Sequence, residues 1–336
     1  MKIDTGLPPN ATADTRDAAA AAEKAGYAAV WTSEIKHDPF LALALASVAT
    51  DTIELGTSIA VAFARNPMST AVQANDVQLL SAGRLLLGLG SQIKPHITRR
   101  FGMPWSHPAP RMREFISGLR AIWACWQDGT RLSFRGDFYT HTLMTPFFDP
   151  GPNPHGAPKV LLAGVGEAMT AVAGEVADGF LCHGFTTERY LREVTRPALA
   201  RGRGGDLAGF EVSGSPLVAT GRTEEEMAAA CRGVREQIAF YGSTPAYRAV
   251  LELHGWGELQ EELHRLSLQG RWQDMGAAID DEMLRTFAVV AEPANIPGEL
   301  LRRYGDLFTR MSLYTPYAID PEVTATIRTI LNAPAP

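Results

Sequence analysis

Short apolar runs alternate with helical patterns along nearly the whole 336-residue chain, and this alternation limits the fold more than any single motif. Lys2–Gly6 reads as a strand, Asp14–Ala25 as an alanine-rich helix stopped by Gly26, Ala28–Thr32 as a second strand, Pro39–Ala49 as an apolar helix and Ile53–Ile59 as a third strand. Asn66-Pro67 supplies a helix start: asparagine caps free N–H groups and proline suits the first helical position. That helix runs to about Leu80, and Leu85–Leu89 follows as a fourth strand. Met112, Phe115, Ile116, Leu119, Ile122, Trp123 and Trp126 fall on one helical face. The pattern breaks over 128–157, where LSFRGDFYTH reads as a hairpin. It then resumes with strands at 159–163, 179–182, 210–220 and 311–314. Helices are predicted at 167–176, about 187–200, after Thr223 and Glu226 (capping-box spacing) and at 297–307. Residues 243–285 form a helical insertion, and RTFAVVAEP after it reads as a contact with the barrel's lower edge or as a short strand. About eight strands separated by helices imply a parallel sheet, and eight units fit a closed (β/α)8 TIM barrel; an open doubly wound sheet is the alternative. The expectation is one domain over 1–336 with insertions at about 91–110, 128–157 and 243–285.

Composition removes several classes of function. A net charge of -6 without a basic stripe argues against nucleic acid. No apolar stretch reaches the roughly 18 residues of a membrane span, and MKIDTGLPPN has no signal-peptide core, so a cytoplasmic protein is expected. Cys125, Cys182 and Cys231 lack metal spacing and read as reduced thiols. With no HExxH, no CxxC and no carboxylate cluster, no metal is expected, and no GxSxG nucleophile elbow appears.

Three strand ends are chemically distinctive. In GRLLLGLGSQIKPH an apolar strand ends in Gly88-Leu89-Gly90, either to let a flat ligand approach the backbone or to make a tight turn. It is not a dinucleotide fingerprint, because the third glycine and an immediate helix are missing. In LLAGVGEAMTAVAGEVADGF a strand ends at Ala163, Gly164-Val165-Gly166 follows, and a helix begins. Free N–H groups and the helix dipole make that junction a phosphate seat; a plain βα loop is the alternative. Glu167 would repel a phosphate if its side chain faced inward, so its backbone N–H is the expected contact. In IELGTSIAVAFARNP the small residues Gly56-Thr57-Ser58 allow a kink under a planar ring.

EKAGYAAVWTSEIKHDPF, IELGTSIAVAFARNPMSTA, LLSAGRLLLGLGS, GEVADGF and AVVAEPANIPGELLRRYGDLFTRMSLY together resemble the luciferase-like monooxygenase superfamily, in its order and over nearly the whole chain. The resemblance implies a barrel that binds FMN or the deazaflavin F420, and DTGLPP, TSEIKHDPF and LGSQIKPH look more like the F420-dependent oxidoreductase branch. It implies a non-prolyl cis peptide at Ser58-Ile59 beneath the ring, beside Thr57. It also implies Gly90, Ser91 and Gln92 along the ring's polar edge, and a phosphate on the backbone of Gly164, Val165, Gly166 and Glu167. Arg111 and Arg113 are candidate phosphate or tail contacts, or solvated helix arginines.

The sequence departs from the pattern at two places. Relatives often carry a histidine after an acidic residue beyond the second strand; here Glu34 precedes Ile35. F420-dependent sugar-phosphate dehydrogenases place a glutamate about where Ile93 stands. The proton-handling candidates are therefore Glu34, His37, Asp38, Gln92 and His96, with His183 beyond the sixth strand; His37 and His96 are otherwise surface imidazoles. Phe40, Phe63 and the 91–110 and 243–285 segments are placed as substrate walls. The resemblance implies hydride transfer between F420 and a small organic substrate. The alternative is an FMN-dependent two-component monooxygenase supplied with FMNH2 by a separate reductase. A non-catalytic flavin-binding protein is a third reading, and an unrelated phosphosugar barrel a fourth. A homodimer through helices 66–80 and 110–126 is implied by the same resemblance.

Overall fold

The computed structural model describes residues 1–8 and 14–332. The alternating apolar runs become eight parallel strands: β1 (Lys2–Gly6), β2 (Ala29–Thr32), β3 (Glu54–Thr57), β4 (Leu85–Gly90), β5 (Lys159–Gly164), β6 (Gly179–Cys182), β7 (Glu211–Gly214) and β8 (Arg310–Ser312). Each pairs with the next in chain order, and β8 pairs back onto β1. The sheet is therefore a closed barrel, which sets aside the open doubly wound alternative. Helices on the outside bury one face against it, as a parallel sheet requires. Local chemistry sets their starts. The Asp38 carboxylate accepts from Phe40 N at 2.8 Å ahead of helix Pro39–Ser47, and Asn66 accepts from Ser69 N at 2.9 Å ahead of helix Pro67–Leu80.

Several elements differ from the sequence reading. The third strand stops at Thr57; the Ser58-Ile59 peptide is cis, and pairing resumes at Ala60–Val61 beside β4. The predicted strand 210–220 is broken at Ser215-Pro216, because proline has no N–H to give to a ladder. Beyond the break Leu217–Ala219 pairs with Ala288–Val290. RTFAVVAEP thus supplies a short strand on the continuation of β7 past its C-terminal end, not a contact at the lower edge. The helix expected over 187–200 starts at Glu188, widens through Leu191–Thr195 and continues over Arg196–Arg203. The 243–285 insertion folds into short helices whose Leu251, Leu263 and Met275 join Phe185, Leu217 and Ile238 in a second apolar cluster beside the barrel. Phe40 and Phe63, expected as substrate walls, lie in the main core instead.

The glycine pair ending β4 is explained by its neighbour. A Cβ on Gly88 would stand 1.8 Å from the Thr57 carbonyl oxygen, and one on Gly90 would meet the Ile59 side chain at 2.8 Å. The side chains of β4 are stripped away so that the kinked end of β3 can lie against it; Thr57 Oγ1 donates to the Gly88 carbonyl at 2.7 Å.

At the opposite, N-terminal end of the barrel the strands are joined by charge. Arg310 is fully buried and pairs with Asp4 on β1 at 2.7 Å, Glu54 on β3 at 3.0 Å and Glu211 on β7 at 2.9 Å. Its guanidinium lies 5.2 Å from the Trp31 ring on β2, and Trp31 Nε1 donates to Asp4 at 3.0 Å. Lys2 and Lys159 pair with Glu54 and Glu211. Burial pushes the Glu211 carboxyl up, but its bonds to Lys159 and Arg310 outweigh that and hold it below the usual range. Arg310→Met leaves the buried Asp4 carboxylate without a cation. It is expected to cost about 3–5 kcal/mol of unfolding free energy, read as a lower urea midpoint at unchanged slope.

Candidate active site

Parallel strands bring all eight C-terminal ends to one face, where barrel loops assemble their chemistry. The end of β3 is held from β2: Ser58 N donates to the Thr32 carbonyl at 2.7 Å, Ser33 Oγ to the Ser58 carbonyl at 2.7 Å and Glu34 N to the Ile59 carbonyl at 3.2 Å. Glu34 Oε2 accepts from Val61 N at 2.7 Å and from Arg65 Nη1. The second Arg65 nitrogen donates to Asp38 at 2.9 Å. Glu34 and Asp38 are thus brought together, but by Arg65, and both carboxylates brace the kink of β3. Sequence reasoning missed Arg65; its signal was an arginine directly ahead of the Asn66-Pro67 helix start. His37, between the two acids, is exposed.

Gln92 and His96 are also brought together. Gln92 sits just past β4 with φ of 60°, a left-handed conformation uncommon outside glycine. Its Oε1 accepts from Ile93 N at 3.0 Å and lies 3.1 Å from His96 Nδ1, while Ser91 Oγ donates to the Gln92 carbonyl. His96 is exposed at the rim.

At the end of β5 the chain passes through Gly164-Val165-Gly166 into helix Glu167–Val176, whose N-terminus has no side-chain cap. Among the described residues no side chain caps its first N–H groups, and a Cβ on Gly166 would meet nothing within 4 Å. The Glu167 carboxylate is drawn aside to Arg201 at 2.9 Å, so it does not oppose an anion at the junction. Tyr190 Oη donates to the Val165 carbonyl at 3.4 Å, which holds the loop. The void behind it, between Gly164, Cys182, Thr186 and Tyr190, is about 10 Å³ and too small for a ligand. Arg111 is buried: Nε donates to Tyr139 Oη at 2.9 Å, Nη1 to the Pro104 carbonyl at 2.7 Å, and the guanidinium covers the Phe63 ring at 4.7 Å. Arg113 pairs with Glu175 at 2.7 Å. Among the described residues no group of three His, Cys, Asp or Glu side chains could hold a metal.

A second polar cluster lies where β6, β7 and β8 end. His183 follows β6 directly; its Nδ1 accepts from Phe185 N at 3.0 Å and its Nε2 lies 3.2 Å from Tyr247 Oη. Tyr241 Oη lies 3.0 Å from Tyr314 Oη, and Ser215 Oγ lies 2.7 Å from Ser312 Oγ. Burial pushes His183 down to about 4 and Tyr247 up to about 12. Of this cluster only His183 was legible, from its place after a strand. Tyr247 comes from the insertion, and Tyr241 lies on a helical face that periodicity assigns to the core.

The model of the luciferase-like monooxygenase family matches residues 2–310. An uncharacterized protein of Mycobacterium tuberculosis is 58% identical over 306 residues, 90% of each chain. A 5,10-methylenetetrahydromethanopterin reductase of Archaeoglobus fulgidus is 24% identical, covering 82% of this chain and 81% of the relative. Among solved structures, the coenzyme F420-dependent tetrahydromethanopterin reductase of Methanopyrus kandleri superposes with a TM-score of 0.79 at 20% identity, covering 97% of this chain and 96% of the other.

Because the folded state holds His183 neutral, the unfolded chain takes up its proton first as the solution is acidified. The stability linked to this group is complete above about pH 6.5 and is lost as pH falls toward about 4. His183→Asn is expected to flatten the fall in unfolding free energy over that window by roughly 1–2 kcal/mol, measured by urea denaturation at several pH values.

Proposed function

The chain belongs to the luciferase-like monooxygenase family, and from that premise we propose that it is an F420-dependent oxidoreductase, transferring a hydride between the deazaflavin and a small organic substrate. The observation that carries the reading is the phosphate seat at the end of β5: an uncapped helix N-terminus, open space over Gly166 and a neighbouring carboxylate held aside by Arg201. The choice of deazaflavin over FMN is supported by what the Methanopyrus protein is described as depending on.

When bound, the cofactor supplies a hydride donor or acceptor at one ring carbon. The backbone N–H groups at Gly164, Val165, Gly166 and Glu167 bind its phosphate. Thr57, Ser58 and Ile59 at the kinked end of β3, with Gly90, Ser91 and Gln92 at the end of β4, would hold its ring. Glu34 and Asp38, locked to Arg65, act as positioning residues that keep Ile59 in place. His37 and His96, exposed at the rim, carry protons between the mouth and water. Arg111 acts through the loop it pins, between Pro104 and Tyr139.

The same proposal includes a homodimer. Leu41, Val48, Val72, Leu79 and Leu80 stand exposed on or next to helices Pro39–Ser47 and Pro67–Leu80, apolar side chains of the kind that a second copy covers. Light scattering is expected to give twice the 36.4 kDa chain mass, and Leu79→Glu with Leu80→Glu to halve it; a wild-type monomer contradicts this part.

Titration with F420 and FMN in both oxidation states, followed by tryptophan fluorescence, tests the function. F420 is expected to bind at micromolar levels or tighter and FMN at least tenfold more weakly. Gly166→Asp, which sets a carboxylate in the seat, is expected to weaken F420 about tenfold or more with the melting temperature unchanged. The reverse preference would make the protein an FMN monooxygenase, to be followed by oxygen uptake with a flavin reductase; binding of neither would overturn both readings.

A further inference from the structure

We propose that Tyr247, oriented by His183, donates a hydrogen bond to the carbonyl oxygen of the substrate, so that this barrel takes aldehydes, ketones or enones. A backbone N–H can only donate, so Phe185 N, 3.0 Å from His183 Nδ1, fixes that nitrogen as an acceptor. The neutral ring then carries its hydrogen on Nε2. That hydrogen faces Tyr247 Oη at 3.2 Å, so the tyrosine oxygen accepts from the histidine and its own O–H is left to donate elsewhere.

The surroundings fix where that hydroxyl sits. The His183 ring meets Tyr241 edge-on at 4.6 Å and lies 4.6 Å from Tyr247, and Phe185 lies under Tyr247 at 5.7 Å. Phe287 stacks on Phe185 at 4.6 Å, making an aromatic floor with little freedom to turn. Tyr241 and Tyr314 share one hydrogen bond, so one of those two phenols also keeps an unspent proton. His183, Tyr241, Tyr247 and Tyr314 are each only partly buried, and His183 and Tyr314 lie just past the ends of β6 and β8. Two phenolic donors on an apolar floor match an oxygen with two lone pairs and a carbon framework behind it. A carboxylate or phosphate fits poorly, because among the described residues no cationic side chain bonds to any ring of the cluster. A donated hydrogen bond draws electron density toward the carbonyl oxygen and leaves its carbon more electrophilic, which suits a hydride acceptor.

The inference rests on the oxidoreductase reading for its use, but it is tested without cofactor, so the two can fail separately. The probe is 4-(dimethylamino)cinnamaldehyde, whose absorption moves to longer wavelength when its carbonyl accepts a hydrogen bond. Cofactor-free wild-type protein is expected to bind it saturably with a red shift. Tyr247→Phe is expected to lose roughly half or more of that shift at an unchanged melting temperature. His183→Asn keeps an acceptor for Phe185 N but has no group at the Nε2 position, and is expected to reduce the shift while still binding the probe. An unshifted spectrum or no saturable binding in the wild type overturns the proposal. So does a full shift in Tyr247→Phe, or a full shift in His183→Asn if Tyr247→Phe fails to fold.

Discussion

Arg310 carries an ionised guanidinium into a space from which water is excluded, and the barrel is arranged to answer it. Three carboxylates reach it from β1, β3 and β7, and the Trp31 ring covers it from β2. With Lys2 and Lys159 the group holds three cations and three anions, so charge balances where the dielectric is low. An apolar plug of equal volume would stabilise a barrel as well or better. What the ionic plug adds is registry: Arg310 satisfies its partners only when β8 lies beside both β1 and β7, which is the condition for closure.

Because closure is secured at the N-terminal end, the C-terminal ends are free to depart from regular pairing. The kink after Thr57, the break at Pro216 and the left-handed Gln92 all lie there. Each departure has a local support: Arg65 with two acids under the kink, the Tyr314 N–H on the Pro216 carbonyl, and the Gln92 amide folded onto Ile93 and His96. Such supports hold the strand ends in place, and in enzymes generally a misplacement of about 1 Å at the site is costly.

This division explains what the sequence made legible. Strand and helix order could be read because apolar periodicity and the Asn66-Pro67 cap are local signals. The uncapped helix start after β5 could be read because a strand, a Gly-x-Gly and a helix lie consecutively. Glu34 and Asp38 looked like free acids because their partner, Arg65, is 31 and 27 residues away and meets them only once β2 and β3 pair. Gly88 looked like a ligand contact because nothing local shows that the Thr57 carbonyl fills its Cβ position. Tyr247 lies 64 residues beyond His183, in an insertion whose helices have no periodic link to the barrel.

The central claim is that one face of the barrel holds a deazaflavin between the kinked end of β3 and the helix N-terminus after β5. A crystal structure of the protein with F420 tests it most directly. Phosphate oxygens are expected within hydrogen-bond distance of backbone N–H groups between Gly164 and Glu167, with the ring against Ser58-Ile59 and its polar edge toward Ser91 and Gln92. A phosphate bound elsewhere, or a ring lying away from the end of β3, would contradict it.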